Sequence, residues 1–366
     1  MWLHFLLIAL LGFGALVSNT RKNDAGKSFI LGLVFIVFLL LAGLRIDTVG
    51  NDTTNYAEYF AKIIDCDDLS QVFATSRYEI GFSAVTFFIT RLTDNFNLFL
   101  LMATAFYLFS VCRFVKAYAL SYSSVILLSF GLSMLYDPLV TLRQCMAVGV
   151  FLFAIKPFVE REPLHYFSLI LLACTFHLSA VILFPAYFLP KLRFTAASDY
   201  LRLLLMLALC AATVGVVLRL FVGIFPYYAH YFETVYGGGG VRLASILLLC
   251  VRLALFVLAL LSNWHLYQGS VEKSDEKSDV ILRFNSLMAA DLVVAASSLS
   301  FNLLDRIEAY FVLPFIVVIS NAINYRKNIN GRICNLLAIL ISFVYITVLL
   351  VFRSEWFGIF PYSMVF

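Results

Sequence analysis

Arg143 and Gln144 open a helix-length apolar stretch in "TLRQCMAVGVFLFAIK". A guanidinium there can hold phosphate or carboxylate oxygens through two parallel hydrogen bonds, and a helix amino terminus adds its own attraction for anions. Both features point at an anionic ligand; the competing reading is a structural pairing with Asp137. Arg306 and Tyr310 lie one helical turn apart in "RIEAYF", with Asn302 one turn earlier, and Asp305 or Glu308 is available to neutralise the arginine. His177, in "CTFHLSAVILFP", has a near-neutral reference pKa suited to moving a hydroxyl proton, and serves equally well as a hydrogen-bonded structural residue. Arg45, Asp47 and Asp52 follow an apolar run in "LRIDTVGNDTTNYAEYF". Arg45 suits interfacial anchoring as well as function, whereas the aspartates gain little from anchoring. Tyr227, Tyr228, Tyr231 and Tyr236 bring phenol hydroxyls to another polar segment, where an interfacial aromatic belt is the rival explanation.

The elements that must carry these groups are membrane helices. Of 366 residues 62% are apolar and 13% charged, with mean hydropathy +0.94, so most of the chain has no place in a water-soluble core. Lipid offers no partner to a bare backbone, and Leu/Ile/Phe runs without alternation select helices over a barrel. The expected fold is therefore all-α: about twelve spans in one integral membrane domain covering 1–366. These are 2–18, 28–44, 96–112, 121–136, 144–159, 164–176, 178–189, 200–222, 243–264, 284–303, 307–325 and 334–352. The first of them lacks the basic region and cleavage site of a signal peptide. Residues 80–92 are too short to cross a core of about 30 Å and are expected to be re-entrant or interfacial.

With that stretch left out, loops holding 16 of the 26 basic residues share one side, 265–283 among them. The positive-inside tendency makes that side cytoplasmic. The outer side receives a long loop, 45–79, with seven acidic and three basic residues, a second loop at 223–242, both chain ends, and Asp137 to Arg143. Loops of such length are uncommon without a function. The run Gly237 to Gly240 has no GK[ST] after it, which makes it a hinge and no phosphate loop. Arg252 and Asp291 fall at similar depths in their spans and are expected to form a mid-membrane ion pair. Seven singly spaced cysteines give neither a disulfide framework nor a zinc site, and no basic-aromatic patch suggests nucleic acid.

Taken in order, "GLRIDTVGNDTTNYAEYF", "YEIGF", "TLRQCMAVGVFLFAIK", "FHLSAVILFP" and "RIEAYF" resemble the EpsG-like branch of the Wzy-type polysaccharide polymerases, from Arg45 to about Phe311. The resemblance marks Arg45, Gly50, Asp52, Tyr56, Glu79, Gly81, Arg143, Gln144, His177, Arg306 and Tyr310. It implies a multi-pass protein of the bacterial inner membrane that polymerises O-antigen or exopolysaccharide repeat units carried on undecaprenyl pyrophosphate, at the periplasmic face.

Expected roles follow from chemistry: outside the cytosol a synthetic reaction must draw on an activated lipid-linked donor. Arg143 and Arg306 would bind the pyrophosphate, with Gln144, Tyr228, Tyr231 and Tyr310 near the substrate. A carboxylate, Glu79 or Asp52, or else His177, would take the acceptor proton, and Arg45 and Tyr56 would position the substrate. No cofactor or metal is expected, since guanidinium groups carry the phosphate charge. The implied partners are lipid-linked repeat units and the bilayer, with a chain-length regulator and a flippase alongside. A lipid-linked oligosaccharide flippase and an O-antigen ligase are the rival functions; few charges line the spans, which leans against transport.

Overall fold

A computed structural model describes residues 1–20, 24–224, 243–270, 276–299 and 304–365. Tyr227, Tyr228, Tyr231, Tyr236, the Gly237 to Gly240 run and Asn302 lie outside the described residues. Regular structure among those described is helical, apart from one isolated bridge between Arg45 and Met364. The chain forms two compact units, 1–184 with 342–366, and 185–341.

In the first unit, α1 (Trp2–Thr20), α2 (Asp24–Gly43), α6 (Phe96–Tyr118) and α9 (Leu142–Glu160) are long enough to cross a bilayer. Small residues let them approach closely: a Cβ on Gly149 of α9 would sit 2.8 Å from the Phe106 ring of α6. Asn95 caps α6 by accepting from Asn97 N and Leu98 N, and the Asn97 amide donates to the Gly43 and Arg45 carbonyls at the end of α2.

The segment expected as a long loop instead folds as a layer, α3 (Thr53–Ile64) and α4 (Leu69–Thr75), packed on α5 (Ile80–Thr90). The amphipathic α3 buries Thr53, Tyr56, Tyr59, Phe60 and Ile63, a helical stripe that the spacing already contains. Both ends of α5 are held by hydrogen bonds. Glu79, at its start, accepts from Leu178 N, and Arg91, at its end, donates to the Ile63 and Ile64 carbonyls at 3.2 and 2.8 Å.

Of the about twelve expected spans, eight are present as helices of sufficient length and hydropathy among the described residues. One expected span, 121–136, shortens to α7 (Tyr122–Gly131), and another, 164–176, is α10 (Pro163–Phe176); at 1.5 Å per residue they are roughly 15 and 21 Å long. A third, 178–189, holds a 3-10 turn (Leu178–Ile182) and the short α11 (Leu183–Ala186), with Pro185 inside a stretch that would have to be helical and Pro190 directly after it. It still runs back along α10: Tyr166 donates to Leu183 O at 2.7 Å, and the Phe167 and Phe184 rings stack at 5.7 Å. The fourth falls within α12 (Ala197–Ile224), several of whose side chains are outside the described set.

The outer loops of the sequence reading in this unit meet at one end of it. Arg45 reaches Pro138 O, His4 of α1 bonds Tyr136, and the tail after α17 (Ile329–Phe352) lies on the start of the long segment. There Gly50 N donates to Gly358 O at 2.8 Å, Val365 N to Leu44 O at 3.0 Å, and the Asn51 amide to Trp356 O at 2.6 Å.

In the second unit, α13 (Leu243–Leu261), α14 (Trp264–Gly269), α15 (Glu276–Ser297) and α16 (Asp305–Asn324) join α12. Its basic loops also share an end: Lys191 pairs with Asp279 at 2.5 Å, the Asn285 amide donates to Leu192 O, and the Asn263 amide to Arg326 O.

Candidate functional site

The polar groups singled out in the first unit come together where α9 begins, α10 ends and α5 starts. α10 stops at His177, whose extended backbone turns the chain into the 3-10 segment. Glu79 is the residue before α5, and Gly81 lets α5 touch the end of α10: a Cβ there would lie 2.1 Å from Thr175 Oγ1 and 2.9 Å from Thr175 O. The Glu79 carboxylate thereby reaches two groups. Oε1 accepts from Leu178 N at 3.1 Å, and Oε2 pairs with Arg143.

Arg143 is the hub. Besides Glu79 it donates to the Tyr56 phenol, and its guanidinium lies 4.3 Å from the Tyr78 ring centre. Tyr56 in turn donates to Asp52 Oδ2 at 3.5 Å. Burial first, then the Asp52 carboxylate, pushes the Tyr56 phenol up, so it stays protonated near neutrality. The Arg143–Glu79 pair is 20% exposed on both sides, accessible enough for an incoming anion to compete with the carboxylate. Asp137, the expected structural partner of Arg143, is not the one it uses: Glu79 holds that place.

Two site residues escaped the sequence reading. Tyr78 and Arg77 both lie in the "SRYEIGF" string, yet neither has a spacing that sets it apart. The exposed Arg77 sits 5.1 Å from the same Tyr78 ring and donates to Asn55 Oδ1 and the Tyr78 hydroxyl, both at 3.1 Å. Two guanidiniums therefore flank one aromatic ring.

Arg45 has a different place. It is 1% exposed, and its donors go to Thr53 Oγ1 at 3.3 Å, Pro138 O at 3.3 Å and Ala42 O. Burial lowers its pKa to about 10, so it remains a cation at neutral pH while tying the long segment to the Asp137 turn. Gly50 follows with φ +92° against the Leu139 carbonyl, which only glycine can approach so closely. Gln144 is buried within α9.

His177 is half-buried, with Nδ1 accepting from Ser179 N at 3.3 Å and 2.6 Å from Ser179 Oγ. An Nδ1 occupied as acceptor leaves the proton of the neutral ring on Nε2. In that tautomer His177 offers a hydrogen-bond donor.

The other expected residues belong to the second unit. Arg306 is exposed in the first turn of α16, while Tyr310, one turn later, is fully buried. The expected Arg252–Asp291 pair is present, with Nε 3.1 Å from Oδ2. Glu308 joins it as a third member, bonded to Arg252 Nη2, and so neutralises Arg252 where Arg306 was an expected partner. All three side chains are buried, and the Arg252 guanidinium stands 5.0 Å from the Phe315 ring. Among the described residues no group of three or more His, Cys, Asp or Glu is placed to hold a metal ion.

A family model described as the EpsG family matches residues 28–364, nearly the whole chain. No curated protein and no solved structure matches it.

Proposed function

We propose, from the premise that this chain belongs to the EpsG family, that it is a polysaccharide polymerase whose donor is a glycan on a polyprenyl pyrophosphate such as undecaprenyl pyrophosphate. The observation that carries this reading is the Arg143, Tyr78 and Arg77 stack beside Glu79 at the end of a bilayer-length helix bundle. A doubly phosphorylated lipid head needs cations at the membrane boundary, and a bidentate guanidinium with an aromatic support supplies them.

In the reaction, an acceptor sugar hydroxyl attacks the anomeric carbon of the donor glycan, forming the new glycosidic bond. The bond from that carbon to the pyrophosphate oxygen breaks, and the electron pair leaves with the polyprenyl pyrophosphate. Arg143 and Arg77 stabilise the growing negative charge. The phosphate displaces Glu79 from Arg143; the freed carboxylate takes the hydroxyl proton. His177 donates from Nε2 to the leaving oxygen, Tyr56 and Asp52 fix the orientation of Arg143, and Arg45 positions them through the segment it anchors. The site faces the side away from the basic loops, the periplasm of an inner membrane.

Purified protein given lipid-linked repeat units and no core acceptor is expected to elongate them. Arg143→Ala, at unchanged protein level, is expected to abolish long polymer and leave single units. A preserved ladder of chain lengths, or transfer only when a lipid A core is supplied, overturns the reading in favour of another activity or of a ligase.

A further inference from the structure

Beneath α5 lies an apolar cavity of about 470 Å³ between α5, α6, α9 and α10. Its walls include Phe88 of α5, Leu92 just after it, Met102 and Phe106 of α6, Met146 of α9 and Phe176 of α10. The volume falls within the range of about 300–1,000 Å³ typical of small-molecule sites. Its rim is open: Phe88 of α5 is 58% exposed and Leu92, just after it, 77%.

Residues that line the cavity neighbour those of the polar site along the chain. Met146 follows Arg143 by three positions on α9 and so lies on the same helix face, and Phe176 directly precedes His177. A ligand with an anionic head at Arg143 and an apolar chain passing under α5 meets both surfaces at once. We infer that this groove seats the first isoprene units of a polyprenyl chain whose phosphate head is bound at Arg143, an inference that rests on the proposed function for its head group and on the cavity for its chain. α5 acts as a rail over the chain, entered sideways from the bilayer, and the groove sets how far the anomeric carbon stands from Glu79.

The test compares inorganic pyrophosphate, geranyl pyrophosphate and farnesyl pyrophosphate by calorimetry on the purified, detergent-solubilised chain. Farnesyl pyrophosphate is expected to bind at least tenfold tighter than inorganic pyrophosphate. Ala103→Phe, which fills the cavity from α6, is expected to remove that increment and leave inorganic pyrophosphate binding unchanged. Should that variant not fold, a photoreactive benzoylphenylalanine at the exposed Phe88 is to label with farnesyl pyrophosphate, and one at the exposed Val344 of α17 is not. Binding that ignores chain length, or equal labelling at the two positions, overturns the groove. Loss of inorganic pyrophosphate binding with labelling kept at Phe88 overturns the head-group reading and leaves the groove standing.

Discussion

Glu79 holds two partners at once, Arg143 and the Leu178 amide, so both its oxygens are occupied until one of them is taken away. The phosphate of the substrate is the group suited to take Arg143, which links donor binding to base release. His177, with Nδ1 occupied, is left with the donor role. The two residues are therefore expected to respond differently to substitution. Glu79→Gln should lower turnover by about 10²–10⁴-fold and, by removing the anion that competes for Arg143, tighten donor binding. His177→Gln, which keeps a donor, should retain more activity than His177→Ala. A smaller loss in Glu79→Gln than in His177→Ala would return the base role to the histidine.

At the scale of elements, the site depends on a close approach and a broken helix. Gly81 brings α5 within contact of the Thr175 backbone, and the chain reversal at His177 turns the Leu178 amide toward Glu79. Gly81→Val forces the two helices apart, and a displacement near 1 Å at such a site costs about 10²-fold in rate. The measurement is kcat in detergent beside the melting temperature; a rate loss without a large fall in stability is expected, because only the end of α10 is displaced. The same elements show what periodicity makes legible. The stripe Tyr56, Tyr59, Phe60 and Ile63 contains α3 in plain spacing, yet an acidic segment between apolar runs reads as a loop. The 178–189 stretch reads as a span by composition, and its proline and the turn at His177 show that composition fixes the direction of travel better than the helix type.

For the molecule as a whole, the deepest charges lie in the second unit. Arg252 between Asp291 and Glu308 joins α13, α15 and α16, and removing it leaves two buried carboxylates facing one another. Arg252→Leu is expected to destabilise by about 3–5 kcal/mol, read as a lower melting temperature in detergent. Adding Asp291→Leu should restore only part of that, because Glu308 stays unpaired; adding Glu308→Leu as well should restore most of it. Full rescue by the first pair alone would exclude Glu308 from the cluster. Within each unit, loops placed on one side by their charge do meet at one end, as Arg45 with Pro138 and Lys191 with Asp279 show.

What the sequence determined by itself was the helical membrane class, the family, and the residue types of an anion site, because hydropathy, the positive-inside bias and short ordered motifs are local properties of the chain. The partners were another matter. Glu79 and Arg143 are 64 positions apart, and Glu79 and Leu178 are 99. Contacts at such separation depend on which helices pack and at which glycine they come close, so no spacing announces them. Tertiary structure alone decided that Arg143 pairs with Glu79 and stacks on Tyr78, that Arg45 faces inward as an anchor, and that a charged pair in the second unit is a triad.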